Sequence, residues 1–231
     1  MFLDFFDKPY NAFDIEPEDE RIIKQNYLDL NLDYIKGRCI IGNPPYGRAL
    51  NLAVQFFKKS IQLGDYISFI LPVSQLNNNI KMYEFDLIHS ENLGIKLYSN
   101  KKVHCCFNIY KRPINNKLNN KISYDLIDIE IREAKINQNP KRNKIVLKSD
   151  FDYDVRICAW GNGNKIGKIV DFDGQYVKEF CIKINNIKYR NKIINLIKNV
   201  KWREIYPMTN ASNLVLWQVY KYIKEQIPEI N

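Results

Sequence analysis

Four residues near position 40 combine types that suit a ligand site. The apolar run 39–41 predicts a buried strand that ends at Gly42. An amide, two rigid prolines and an aromatic ring follow it, in the order Asn43, Pro44, Pro45 and Tyr46. Open α/β sheets bind ligands beyond the carboxyl ends of their strands, which is where this turn would lie. The alternative is a proline turn capped by Asn43, with Tyr46 in the core.

The elements around this turn predict an α/β structure in which strands alternate with helices. Such an alternation, followed by a closing pair of strands, favours a sheet of the doubly wound type. Apolar runs, helical periodicity and capping residues place the elements along the chain. We expect strands over 10–15, 37–42, 65–72, 94–99 and 103–112, and helices starting at Pro17, over 48–63 and over 80–90.

The composition predicts a folded, cytoplasmic protein without a metal site. The chain has 231 residues, of which 45% are hydrophobic, enough to bury a core. No apolar run approaches the roughly 18–20 residues that span a bilayer, and the acidic N-terminus does not resemble a secretory signal. With two histidines and no CxxC pair, we expect buried, reduced thiols at Cys39, Cys105, Cys106, Cys158 and Cys181.

Charge is divided unevenly along the chain. Residues 1–100 hold 10 Lys and Arg against 13 Asp and Glu, whereas the remainder holds 25 against 13. A polar stretch rich in Asn and Lys, over 113–121, predicts a linker. We therefore predict an α/β domain over 1–112, a linker over 113–121 and a basic β/α region over 122–231. The basic region predicts contact with nucleic acid, and a solvated Lys-rich surface is the alternative.

The Asn43-Pro44-Pro45-Tyr46 sequence at the end of an apolar strand resembles the catalytic motif of the S-adenosylmethionine-dependent amino-methyltransferases. The resemblance covers about residues 1–112 and implies a Rossmann-like sheet. It implies that the Asn43 side-chain oxygen and the Pro44 carbonyl oxygen accept the two N–H bonds of the target amine. Pro45 would keep the turn rigid, and Tyr46 would stack on a base that has left its duplex.

Two upstream elements extend the resemblance. About 30 positions before its catalytic turn, the family keeps a carboxylate for the ribose hydroxyls of S-adenosylmethionine; Asp14 is the candidate here, with Glu16 second. The family's next element meets the adenine of the methyl donor. Here it consists of Asn26, where Asp is usual, and Tyr27, which would pack on the ring. As an alternative, Asp14 caps the helix predicted after it.

The order of these elements resembles that of adenine-N6 DNA methyltransferases whose target-recognition region follows the catalytic loop. In this chain the basic region, incorporating residues 122–231, takes that position. Its candidate phosphate and base contacts, together with one cation beside the turn, are Arg48, Lys141, Arg142, Lys144, Trp160 and Lys165.

The family's glycine-rich loop, which should precede the acidic strand, is missing before Asp14. The 13 residues before Asp14 contain no glycine, so the sheet is predicted to be incomplete at its N-terminal side. The chain is then a truncated enzyme, or half of a split enzyme whose second polypeptide supplies the loop, or a permuted enzyme that uses 159–167. A hairpin turn is the alternative for the glycines of 159–167.

These features together predict methyl transfer from S-adenosylmethionine to the N6 amino group of adenine in DNA, as in restriction-modification systems. RNA is a less favoured partner than DNA. Two alternatives stay open: a methyltransferase that acts on RNA or on a protein glutamine, and a non-catalytic nucleic-acid-binding module on a degenerate methyltransferase scaffold.

Overall fold

The computed structural model describes residues 4, 9–98, 101–121, 123–124, 126–138, 145–147, 152–161, 165–170, 178–206 and 213–231. The strands are β1 (Ala12–Asp14), β2 (Ile22–Lys24), β3 (Cys39–Gly42), β4 (Tyr66–Pro72), β5 (Asp86–Tyr98), β6 (Lys101–Lys111), β7 (Ile129–Gln138), β8 (Ile145–Leu147), β9 (Val155–Cys158) and β10 (Lys178–Ile184). The α-helices are α1 (Asn51–Ile61), α2 (Arg190–Asn199), α3 (Trp202–Ile205) and α4 (Leu216–Gln226). The chain divides into two compact units, Met1–Lys121 and Ile122–Asn231.

A four-stranded sheet in the order β3-β4-β6-β5 forms the centre of the first unit. β3 and β4 are parallel, with Gly42 opposite Phe69, and α1 connects them. β6 is antiparallel to both β4 and β5. The prediction of a mixed α/β structure with an open sheet is confirmed. The sheets are mostly antiparallel, however, because a hairpin rather than further helix-linked strands follows β4.

Side chains of α1 bury the core against this sheet. Phe57 is fully buried, and its ring meets Phe85 and Tyr110 edge-on, with centroids 5.9 Å and 5.0 Å apart. The helix predicted over 48–63 is confirmed over Asn51–Ile61, whereas Ala49 and Leu50 before it have non-helical backbone angles. The strands predicted at β3, β4 and β6 are confirmed as well.

The helix predicted from Pro17 is wrong. The chain turns at Asp19, whose carboxylate accepts a hydrogen bond from the Arg21 guanidinium at 2.7 Å, and then continues as β2. β2 pairs in parallel with β1 as a separate two-stranded sheet. Pairing with β1 therefore replaces the helical hydrogen bonds that the sequence predicted.

The helix predicted over 80–90 is also wrong, because turns and bends lead there into β5. Met82 and Phe85 are buried in the core, and their three-residue spacing imitates a helical stripe. Within β5, the pairing with β6 shifts register after Leu87 and again after Asn92. Each shift breaks the alternation of inward and outward side chains by which a strand is recognised.

The polar stretch 113–121, predicted as a linker, lies in the first unit. The Asn119 N–H donates to the Glu84 carbonyl at 3.0 Å, and the Asn119 side chain donates to Asp86 at 2.8 Å. Pro113 is buried. This stretch is therefore held against the sheet domain instead of spanning a gap.

The second unit contains an antiparallel sheet in the order β8-β7-β10-β9. Apolar side chains of β7, β9 and β10 pack with those of the helices in one core, whose fully buried side chains include Trp202, Phe180, Ile129, Ile157 and Ile182. This β/α architecture agrees with the one predicted for the basic region.

The five cysteines are free thiols. Four are buried, as predicted, but Cys39 is exposed because it lies on β3, an edge strand among those described. In the described segments, no helix combines the length and the apolar character needed to cross a membrane.

Candidate active site

The turn formed by residues 43–46, called here the 43–46 turn, leaves the sheet at the carboxyl end of β3. Because β3 and β4 are parallel, the loop after β4 leaves at the same edge. Pro44 is buried and fixes the turn, whereas Asn43 and Pro45 are exposed. No described residue forms a hydrogen bond with the Asn43 amide, which is therefore available to a ligand at this edge.

Strained backbone follows the 43–46 turn. Gly47 has φ 66° and ψ −179°, and a Cβ placed there would lie 2.8 Å from Cγ of Leu52, so only glycine fits. Ala49 and Leu50 also have positive φ angles, 54° and 70°. Such conformations cost about 1–3 kcal/mol each. Burial of Leu50 and a hydrogen bond from the Lys81 ammonium to the Ala49 carbonyl hold them in place.

Tyr46 joins the turn to the sheet. Its ring is half-buried against the core, and its hydroxyl oxygen lies 3.7 Å from Sγ of Cys105 on β6. Burial, reinforced by Cys105, raises the pKa of Tyr46 far above its usual value, so the phenol stays neutral. Burial, reinforced by Cys105, also raises the pKa of Tyr98 on β5.

Sequence reasoning did not assign Cys105 or Tyr98 to the site. The contact of Cys105 with Tyr46 depends on β6 lying next to β4, with Cys105 opposite Pro72. Nothing in the local sequence indicates that the last strand inserts there. Only the closing hairpin itself was predicted, and the structure contains it.

A buried polar network supports the loop after β4. Nδ2 of Asn108 donates to the Gln75 carbonyl at 2.8 Å and to the Tyr110 hydroxyl at 2.9 Å, and Oδ1 accepts from Ser90 at 2.7 Å. Asn108 is fully buried, so these bonds compensate the desolvation of its amide. The network fixes the loop at the same edge of the sheet as the 43–46 turn. It too was missed, because it unites three separate segments.

Asp14 and Glu16, the predicted ribose-binding acids, are exposed at the end of β1. Oδ1 of Asp14 accepts from the Glu16 N–H at 2.9 Å, so Asp14 stabilises a turn. It does not cap a helix, which was the alternative interpretation. The Asp14 carbonyl accepts from the Gln25 N–H at 2.9 Å. This bond brings Asp14 and the predicted adenine-binding residues to one edge of the β1-β2 sheet.

Asn26 and Tyr27, the predicted adenine-binding residues, both form bonds within the protein. Oδ1 of Asn26 accepts from the Leu28 N–H at 3.1 Å, and Nδ2 donates to Asp29 at 2.8 Å. The Tyr27 ring stacks on Phe56 of α1, with centroids 5.1 Å apart. Its hydroxyl lies 2.7 Å from that of Ser60, and burial raises its pKa.

These residues fit S-adenosylmethionine at its ribose end better than at its adenine end. Asp14 keeps a second carboxylate oxygen, Oδ2, that no described residue hydrogen-bonds and that can accept from a hydroxyl pair. Asn26 would have to share its oxygen with Leu28, and Tyr27 offers only the ring face opposite Phe56. The adenine of the methyl donor would therefore be held weakly.

Gly161 and Gly167, the described glycines of 159–167, lie in a hairpin. The Cys158 N–H donates to the Lys168 carbonyl at 2.9 Å, and the Gly167 N–H donates to the Cys158 carbonyl at 2.8 Å. Gly167 has φ 75°, and a Cβ there would overlap the Trp202 ring. Glycine is therefore required at position 167 by a tight turn that packs against the core, which favours the hairpin over the permuted glycine loop. Residues 162–164 lie outside the described residues.

The predicted nucleic-acid contacts are distributed over both units. Arg48 is exposed in the first unit, directly after the 43–46 turn, while Trp160 and Lys165 are exposed in the second. The remaining three, Lys141, Arg142 and Lys144, lie outside the described residues.

A scan against models of known protein families finds no match for this chain, and a search of curated proteins finds none either. Its function therefore has to be inferred from the residues and geometry of the site.

Proposed function

We propose that this chain transfers a methyl group from S-adenosylmethionine to the N6 amino group of adenine in DNA. The observation that carries the proposal is the exposed Asn43 amide on a double-proline turn at the carboxyl end of a parallel strand. The resemblance of this turn to the amino-methyltransferase motif supports it. The open, mixed α/β sheet is compatible with the Rossmann-like sheet of that family.

The 43–46 turn suits an amine that is a poor nucleophile. The lone pair of the adenine amino group is delocalised into the ring. Hydrogen bonds from its two N–H groups to Oδ1 of Asn43 and to the Pro44 carbonyl would draw the nitrogen toward tetrahedral geometry and direct its lone pair outward. Because buried Pro44 and its neighbour hold both acceptors in place beforehand, little reorganisation accompanies the reaction.

The methyl donor has a partial site at the β1-β2 edge. S-adenosylmethionine, when bound, supplies an electrophilic methyl group on sulfur. Oδ2 of Asp14 would accept from the ribose hydroxyls while Oδ1 keeps its bond to Glu16. Tyr27 would cover the adenine with its second ring face.

The substrate is inferred from charge and from Tyr46. The chain carries a formal net charge of +9, and its basic excess lies after residue 100, which favours a nucleic acid over a peptide. The exposed part of the Tyr46 ring, beside Asn43, offers a stacking surface to a base that has left the duplex.

A second candidate is a nucleic-acid-binding module without activity on the same scaffold. The observation that favours it is the engagement of Asn26 and Tyr27 in bonds to Leu28, Asp29 and Ser60, which weakens the site for the methyl donor. Such a module would bind duplex DNA and leave it unmodified.

The test is incubation of the chain with S-adenosylmethionine labelled in its methyl group and an AT-rich duplex, followed by digestion to nucleosides. We expect label in N6-methyladenine. A duplex with purine in place of adenine lacks the amino group and serves as the control. Label in RNA or in protein glutamine instead would overturn the choice of DNA. DNA binding by a folded chain that does not bind the donor in calorimetry would favour the inactive module.

A further inference from the structure

The hairpin of β5 and β6 extends beyond the rest of its sheet. β4 ends at Pro72, opposite Cys105, so residues 101–104 of β6 pair only with residues 95–98 of β5. We call residues 95–98 and 101–104 the ribbon. It continues past the carboxyl end of β4, the edge from which the 43–46 turn also leaves, because β3 and β4 are parallel.

A β-bulge at the base of the ribbon sets its direction. The pairing of β5 with β6 shifts register between Asn92 and Gly94, and Gly94 has φ 71°. Oδ1 of Asn92 accepts from the Gly94 N–H at 2.9 Å and lies 2.8 Å from Nε2 of His104. Bulges of this kind bend and re-aim the strand that carries them.

The ribbon is basic and contains no acidic residue. Lys96, Lys101 and Lys102 are exposed, and no described residue forms an ion pair with them. Ile95 and Leu97 are 67% and 66% exposed, which is high for aliphatic side chains in a strand. They share one face because side chains two residues apart in a strand point the same way.

This combination suits duplex DNA. A two-stranded β-ribbon fits the major groove, lysines neutralise phosphates along its rims, and apolar side chains contact thymine methyl groups. Cross-strand pairing puts Lys102 beside Leu97, on the face of Ile95, and puts Lys101 beside Tyr98, on the opposite face with Lys96. The lysines therefore extend from both faces of the ribbon toward the two rims of the groove. Cys105, which directly follows the ribbon in β6, has its Sγ 3.7 Å from the Tyr46 hydroxyl oxygen, so the ribbon begins next to the 43–46 turn.

We propose that the ribbon is a DNA-contacting element of the first unit, which binds phosphates with its three lysines and places Ile95 and Leu97 in the major groove. The inference rests on the proposed function in that the bound duplex is the one whose adenine reaches Asn43. It adds a contact that lies outside the basic region, on the same unit as the 43–46 turn.

The experiment compares two triple variants that lose the same charge. K96Q/K101Q/K102Q alters the ribbon, and K36Q/K58Q/K59Q alters three lysines elsewhere in the first unit. Affinity of the full chain for a 20-base-pair duplex is measured by fluorescence anisotropy between 50 and 200 mM salt, conditions over which phosphate contacts are strongly weakened. Circular dichroism and thermal melting establish that both variants fold.

We expect the ribbon variant to bind at least about tenfold more weakly. The slope of its salt dependence should fall by about 3, since each of the three lost phosphate contacts removes about 0.9. The control variant should stay within about twofold of the unaltered chain. I95S/L97S should weaken binding with the slope unchanged, because it removes no charge.

Equal duplex affinity of the two triple variants would overturn the proposal. Selective loss of binding to phosphatidylserine vesicles by the ribbon variant, with duplex binding intact, would replace DNA with a membrane surface. These outcomes are separate from those of the methyl-transfer assay. If the unaltered chain methylates DNA and the ribbon variant binds DNA normally, only the role proposed for the ribbon is refuted. If the ribbon variant loses DNA binding but the unaltered chain does not methylate DNA, only the proposed enzymatic activity is refuted.

Discussion

The hydroxyl oxygen of Tyr46 lies 3.7 Å from Sγ of Cys105, and this contact ties the 43–46 turn to a strand two positions away in the sheet. The ring that the resemblance assigns to the target base therefore also supports the turn from inside the protein. Packing needs the ring's bulk, whereas the thiol contact needs only the hydroxyl. Substitutions can separate the two.

Tyr46→Phe should leave both stability and methyl transfer close to those of the unaltered chain. The change removes one weak hydrogen bond to sulfur and keeps the ring. Tyr46→Ala should lower the free energy of unfolding by about 2–3 kcal/mol and strongly reduce transfer, since it removes both packing and stacking surface. Urea denaturation and the methyl-transfer assay measure the two effects. A full loss of transfer in Tyr46→Phe would show that the hydroxyl has a chemical role.

Asn43→Ala should reduce methyl transfer by about 100-fold or more, because it removes one of the two acceptors for the target amine. The side chain is exposed and has no described partner, so folding and duplex affinity should not change. Single-turnover kinetics measure the rate of methyl transfer, and fluorescence anisotropy measures the affinity for the duplex. Asn31→Ala, at another exposed asparagine of the first unit, is the control. Unchanged transfer in Asn43→Ala would refute the proposed function.

Gly47→Ala should destabilise the first unit by about 2–4 kcal/mol. The new Cβ would meet Cγ of Leu52 at 2.8 Å, in a backbone conformation reserved for glycine. Gly37→Ala is the matched control, since Gly37 also has a positive φ, 79°, but nothing lies within 4 Å of its added Cβ. It should cost only about 1–2 kcal/mol. Equal losses for both variants in urea denaturation would contradict the role given to Leu52.

Asp65, which precedes β4, should make stability fall in acid. Its burial alone would raise its pKa, but hydrogen bonds from Gly37, Tyr34 and Arg112, together with the Arg112 charge, hold that pKa below 3.8. A folded-state pKa below the unfolded-state value stabilises the protein above about pH 4, and this stabilisation is lost as the pH falls through the folded-state pKa.

Asp65→Asn should therefore lower the free energy of unfolding by about 2 kcal/mol at pH 7. The loss should shrink as the pH falls through the folded-state pKa and the carboxylate of the unaltered chain becomes protonated. Urea denaturation at several pH values tests this. Asp33→Asn, at an exposed aspartate, should cost little at any pH. A loss for Asp65→Asn that does not vary with pH would assign the effect to packing.

The sequence predicted elements whose signal is local. β3 and β4 are apolar runs closed by Gly42 and Pro72, and α1 carries a helical stripe, so each element follows from its own residues. The second part of β5 was predicted as the strand over 94–99, whereas its first part was missed because two register shifts there disrupt the alternating pattern. β2 was missed because its three residues form a strand only through pairing with β1.

The site divides in the same way. Its edge was predictable, since the carboxyl ends of two neighbouring parallel strands must meet there. The bonds of Asn26 to Leu28 and Asp29, and the approach of Cys105 to Tyr46, were not predictable. They depend on side-chain geometry and on which strand lies next to β4, and neither is encoded in residue spacing.

The small sheet of β1 and β2 has a consequence for ligand binding. Three residue pairs join its strands, and none of their side chains is fully buried, so little apolar contact opposes local opening. Its amide hydrogens should exchange with deuterium far faster than those of β4. A ligand held by Asp14 must order this sheet as it binds, and part of its binding free energy goes into that ordering. Occupancy of the site would then be detected as slowed exchange at Phe13 and Ile23, whether or not a methyl group is transferred.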